Sequence, residues 1–173
     1  RVSRRGVFPL AFSLDHVGPM TRDVADNALL MQVLAGHDPL DPGSADVAVP
    51  DFSAEIGRGV KGMRIGLVRH FYDGDETAHP EQIKAVDSAA EVLRGLGAEV
   101  REIRLAPLGE YTVCCRIILA GEAFAIHRRD LAERPEAFGE LSRQRLSVGA
   151  GFSAADYVDA LRLRARLIAQ TNA

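Results

Sequence analysis

Two short apolar runs with an amphipathic stretch between them set the fold class: Met63-Arg64-Ile65-Gly66-Leu67-Val68, then Pro80 to Gly97, then Ala98-Glu99-Val100-Arg101-Glu102-Ile103-Arg104-Leu105. The first run lies between chain breakers and predicts a buried strand. Pro80 suits the first turn of a helix, Ile83, Val86, Ala90 and Leu93 recur on one face, and Gly95 and Gly97 close it. The last run predicts a second strand. Strand, helix and strand within about forty residues favour a right-handed parallel crossover, the hand that returns the helix onto the sheet. The expected class is α/β.

Upstream, residues 37–62 hold prolines, glycines and aspartates without lasting periodicity, as expected of a surface connection. Before it, residues 1–36 open with turns and short extended pieces from Arg1 to Leu10. A helix is then expected after Gly18-Pro19, capped by Thr21, with Val24, Ala28, Met31 and Leu34 or Ala35 on one face and Gly36 at its end. The opening lacks an initiator methionine and a polar lead-in, so the sequence is expected to begin within a larger chain. Beyond Pro107 the pattern is helical. Val113, Ile117, Ala120, Phe124 and Leu131 are the expected face, Pro135 permits a restart, and a further segment runs to about Val148. Ser153-Ala154-Ala155-Asp156 is a capping pattern for a last helix with Tyr157, Leu161, Ala165 and Ile168 as its stripe. The expected organisation is one partial domain, 1–173, in four parts: 1–36, 37–62, 63–106 and 107–173.

Composition narrows the function classes. With 47% hydrophobic and 26% charged residues the chain can bury a core without disulfides or metals. A formal net charge of -3, with arginines dispersed among acids, gives no positive field for a polyanion, so no nucleic-acid partner is expected. No run approaches the roughly 20 apolar residues of a membrane span and Arg1 to Arg5 lead into no signal core, so no membrane partner is expected and the compartment is read as cytoplasmic. Cys114 and Cys115 are neighbours in a helical pattern, which suits reduced core residues rather than a disulfide.

Catalytic chemistry is hard to assemble from these residues. A nucleophilic serine needs a base within reach and amide donors for the developing oxyanion. There is no Gly-x-Ser-x-Gly elbow, and Ser44, Ser53, Ser88 and Ser142 sit in connecting or helical surroundings. Lys61 and Lys84 are the two lysines, and both are expected in solvent. His16, His37, His70, His79 and His127 form no i, i+4 pair, so no metal site is expected. Glu122, His127 and Asp130 come nearest to a cluster, and surface pairing of His127 with Asp130 is the simpler account. Gly149-Ala150-Gly151 follows a helix and lacks a third glycine, so it is read as a helix stop, and no cofactor is expected.

Residues 1–31 closely resemble the segment just downstream of the Gly/Ser-rich signature in the amidase-signature family, and Ser13-Leu14-Asp15-His16-Val17-Gly18-Pro19 carries most of that resemblance. Lys61 to Gly66, Leu96 to Val100, Gly121-Glu122-Ala123 and Ser153 to Tyr157 follow in the family's order. The resemblance implies part of the amidase-signature fold, a mixed sheet with a crossover and flanking helices. It also implies hydrolysis of a carboxamide to a carboxylate and ammonia or an amine, through an acyl-serine formed by a lysine, a cis-serine and a nucleophilic serine. All three precede residue 1 in that family. No catalytic residue carries over, and the isolated chain is expected to be inactive. Ser13 and Asp15 are expected near the pocket floor, supporting the signature loop, with a local aspartate turn before Gly18-Pro19 as the alternative. Glu122 and His127 are the polar residues expected to line a substrate pocket, with surface or packing roles as the alternative. The expected partners are a small-molecule amide in the intact enzyme and, through exposed core faces concentrated in residues 1–20, a second copy of the chain. A noncatalytic α/β binding or interaction module on the same scaffold is the competing reading.

Overall fold

The computed structural model describes residues 1–73 and 78–172; residues 74–77, inside the expected strand–helix–strand span, lie outside them. The chain is α/β: α1 (Val24–Leu34), β1 (Arg64–Leu67), α2 (Pro80–Gly95), β2 (Glu99–Glu102), α3 (Leu108–Glu133), α4 (Glu140–Ser147) and α5 (Ala154–Thr171), with single 3-10 turns at Arg69–Phe71, Pro135–Ala137 and Val148–Gly151. It divides into two compact units. One comprises Arg1–Ile56 with Val113–Leu163, the other Gly57–Thr112 with the chain from Arg164 onward.

The second unit contains the crossover. β1 and β2 pair in parallel, with Arg64 opposite Glu99 and Leu67 opposite Glu102. Pro80 opens α2, and the His79 ring accepts from the Glu81 amide at 3.3 Å. α2 closes as the glycines predict: the Ala98 and Gly97 amides donate back to the Leu93 and Arg94 carbonyls at 3.0 and 2.9 Å, with Gly97 at φ 91°. That left-handed backbone favours a residue without a Cβ. The expectation of a buried strand is corrected, because only Ile65 and Leu67 of β1 are half-buried while Arg64 and Gly66 face solvent. In a two-stranded sheet, alternate side chains have only one covered face to use.

In the first unit the opening segment is tied down by an isolated antiparallel bridge between Val2 and Ala35 and by the Gly36 amide donating to the Arg1 carbonyl at 2.9 Å. Asp23, not Thr21, caps α1: its carboxylate accepts from the Asp26 amide at 2.9 Å, while the Thr21 hydroxyl donates to the Asp23 carbonyl. The core is built on Ala11, Ala28, Cys114, Ile118, Ala123, Leu146 and Ala160.

The buried faces of the long helices are rotated from expectation. α3 buries Cys114, Ile118, Glu122, Ala123 and His127, and Val113 is exposed. α5 buries Ala160 and Leu167, while Leu161 and Ile168 stay exposed. Both helices carry apolar side chains next to the expected stripe, so the choice among adjacent faces falls to the packing partners. Cys115 is exposed, contrary to the expectation of two core cysteines, and Cys114 donates its thiol to the Ala160 carbonyl at 3.3 Å. Ser153 and Asp156 form the expected cap of α5, with the Asp156 carboxylate accepting from the Ser153 amide at 2.8 Å. Gly149 is a packing residue rather than a helix stop, since a Cβ there would overlap the Ala120 carbonyl and the Phe124 side chain.

Candidate functional site

The turn from Leu10 to Asp15 organises the first part of the candidate site. The amides of Leu14 and Asp15 donate to the Ala11 carbonyl, each at 2.8 Å, and the Asp15 carboxylate reaches back to the amides of Leu10 at 2.8 Å and Ala11 at 3.1 Å. Asp15 is thus a turn-former. It closes the residues before it rather than preparing Gly18-Pro19, because Asp side chains find nearby amides in whichever direction the backbone offers them.

Ser13 lies in the same turn and presents its backbone amide to Glu122 Oε2 at 2.9 Å. The other carboxylate oxygen, Glu122 Oε1, accepts from the Tyr157 hydroxyl of α5 at 2.8 Å. Glu122 is 2% exposed, so a surface role is corrected: its carboxylate joins the opening turn, α3 and α5 within the first unit. A buried carboxylate is tolerable because both oxygens are paired with donors. Phe12, Glu122, Phe152 and Tyr157 border an open cleft of ≈ 330 Å³ here.

His127 occupies different surroundings. It is 8% exposed, with the Phe8 ring centroid 5.3 Å away and that of Phe138 5.9 Å away, nearly perpendicular. Its expected surface pairing with Asp130 is also corrected, since Asp130 instead binds Arg134 at 2.7 Å and is held below its ordinary pKa chiefly by that hydrogen bond. His127 Nδ1 is buried without a hydrogen-bond partner. The residue lines a second cleft of ≈ 590 Å³ together with Leu119, Ala123, Leu146, Phe152 and the exposed Arg116 and Arg145. The four singled-out residues therefore divide: Ser13 meets Glu122, Asp15 shares the turn of Ser13, and His127 lines another cleft.

One tight ionic contact has no counterpart in the sequence reading. The Arg4 guanidinium binds Asp41 at 3.1 Å, and the amides of Arg4 and Gly43 donate to the same carboxylate at 2.8 and 2.9 Å. The Arg4 side chain, then these amides, hold Asp41 far below the usual carboxylate range. Asp38-Pro39-Leu40-Asp41-Pro42-Gly43 announces a turn, but its partner lies 37 residues away in sequence. Ser44 accepts from the Asp38 amide and Ser53 donates to Asp51, so both hydroxyls serve turns. Lys61 and Lys84 are exposed. Among the described residues no group of three metal-binding side chains forms, and no helix is long and apolar enough to cross a membrane.

Comparison with known proteins places this geometry among relatives. The sequence model of the amidase family matches residues 1–171. An amidase from Pseudomonas putida is 41% identical over 165 residues, covering 95% of this chain and 35% of that protein. A Glutamyl-tRNA(Gln) amidotransferase subunit from Geobacter sp. (strain M21) is 40% identical, covering 97% of this chain and 38% of that protein. A solved chain from a vestigial protein complex that bears on the evolutionary origins of an s-triazine catabolic enzyme superposes with a TM-score of 0.86 and 33% identity, over 99% of this chain and 36% of that one. The chain thus spans little more than a third of the length of these relatives.

Proposed function

The chain belongs to the amidase family, and from that premise we propose that it is the pocket-shaping downstream part of an enzyme that hydrolyses a carboxamide through an acyl-serine intermediate. In this reading a lysine, a cis-serine and a nucleophilic serine come from sequence outside the 173 residues. Ser13 and Asp15 brace the signature loop, and Glu122 fixes that brace to α3 and α5. The observation that carries the reading is the pairing of Glu122 with the Ser13 amide and the Tyr157 hydroxyl. It joins three segments that recur in the family's order, and a positioned loop is what oxyanion stabilisation requires, because preorganised donors act without rearranging during the reaction. The amide is a small molecule whose identity rests with the clefts of the first unit.

A serine-directed fluorophosphonate tests the proposal. The uninterrupted gene product carrying the signature is expected to be labelled and to release ammonia or an amine from its substrate, whereas this chain alone is expected to remain unlabelled. Stoichiometric labelling of the isolated chain would overturn the assignment of the nucleophile to sequence outside it. If the gene product carrying the signature also stays unlabelled, the noncatalytic binding module becomes the better account.

A further inference from the structure

Two helices of the first unit flank the cleft of ≈ 590 Å³, a volume in the range of small-molecule pockets. α3 lines it with Arg116, Leu119 and Ala123, and α4 with Ser142, Arg145 and Leu146, at spacings that put each set on one helix face. We infer that the cleft binds an apolar small molecule that ends in a carboxylate, with Arg116 and Arg145 supplying the cationic half of the site and the apolar side chains the rest.

Three observations carry this. First, the charge of the cleft is uncompensated. The chain has a formal net charge of -3, yet among the described residues no aspartate or glutamate lines this cleft, and neither guanidinium takes part in a hydrogen bond or ion pair. The cleft beside Arg4 and Arg5 differs, because Asp15 and Asp41 line it as well. Two unengaged guanidinium groups select an anion, and their planar fork matches a carboxylate. Second, both arginines lie near one point of contact. A Cβ at Gly149 would overlap the Ala120 carbonyl, so the chain leaving α4 touches α3 there. Arg145 precedes Gly149 by four residues and Arg116 precedes Ala120 by four, so each is about one helical turn from that contact. An anion seated beside it is within the field of both, since charges in water reach about 10 Å at 0.1 M salt. Third, Leu119, Ala123, Leu146 and Phe152 offer the apolar part of a ligand a surface that removes it from water. The arginines themselves are exposed, so the carboxylate stays partly hydrated and avoids the desolvation cost of a buried ion.

Within the proposed function this makes the substrate an amide whose non-reacting end is apolar and carries a carboxylate; that step alone rests on the amidase reading. Calorimetry on this chain with 4-phenylbutanoate and the neutral 4-phenylbutan-1-ol needs no turnover. The carboxylate is expected to bind about tenfold more tightly, each solvated arginine contributing a factor of about three. Arg116→Gln and Arg145→Gln are each expected to reduce the preference about threefold, and the double variant to abolish it, with the binding of the alcohol unchanged. Arg143→Gln removes another exposed charge from α4, one that does not line the cleft, and is expected to leave both affinities as they were. Equal binding of acid and alcohol, a preference that survives the double variant, or an equal loss in Arg143→Gln would overturn the inference. Placement is read separately from the methyl resonances of Leu119 and Leu146, which should move on addition of 4-phenylbutanoate and not of acetate; no movement, or the same movement with acetate, counts against the cleft. Because these measurements report binding, loss of the amidase reading would leave their outcome intact.

Discussion

Among single residues the decisive feature is a carboxylate with both oxygens committed. Glu122 is buried, and removing it takes away the carboxylate that accepts from the Ser13 amide and the Tyr157 hydroxyl. Glu122→Ala is expected to destabilise the first unit by about 3 kcal/mol, because it removes two hydrogen bonds to a charged acceptor, each worth more than an average hydrogen bond. Tyr157→Phe removes one donor and is expected to cost about 1 kcal/mol. The two substitutions share a contact, so the double variant should lose less than the sum; denaturant unfolding of all four proteins measures the difference. Additive losses would mean that the two side chains are not energetically coupled.

Among the elements, α3 shows how close packing depends on a position that sequence patterns pass over. The turn Val148–Gly151 comes so near the α3 backbone at Ala120 that only glycine fits at Gly149, whereas a Cβ at Gly151 meets nothing within 4 Å. Gly149→Ala is expected to destabilise by about 1–3 kcal/mol, as overpacking does, and Gly151→Ala to stay within about 0.5 kcal/mol of the original. Thermal unfolding of the pair tests the assignment, and equal effects would refute it. The element boundaries themselves are largely legible in the sequence. Pro80, Gly97 and the Ser153–Asp156 cap announce α2 and α5 because each acts on its immediate neighbours. The faces that α3 and α5 bury differ from the sequence pattern by about one residue. Cys114 and Val113, or Ala160 and Leu161, are similar enough in polarity that only the shape of the opposing surface separates them.

For the molecule as a whole the exposed apolar side chains matter most. Phe8 is 71% exposed, Met20 97% and Val33 80%, far beyond the scattered apolar residues that an ordinary surface carries without consequence. In the proposed reading the remainder of the enzyme covers these groups. Without it, the chain is expected to self-associate, with an apparent mass that rises with concentration in light scattering and falls in a Met20→Lys, Val33→Lys variant. A mass fixed at 18.7 kDa across the concentration range would contradict the expectation.

The order of amino acids alone is enough for the class of the fold, the parallel strand–helix–strand unit, most helix ends and the family, because these depend on period, on breakers and on short motifs whose physics is local. It also marks Ser13, Asp15, Glu122 and His127, without saying which of them meet. Three-dimensional packing is needed to bring Glu122 to Ser13 and Tyr157, to turn His127 toward another cleft between Phe8 and Phe138, and to set Asp41 against Arg4. Each of these is a contact between residues apart along the chain, and which partners meet across such distances is settled by the packing of whole helices and turns rather than by neighbouring residues.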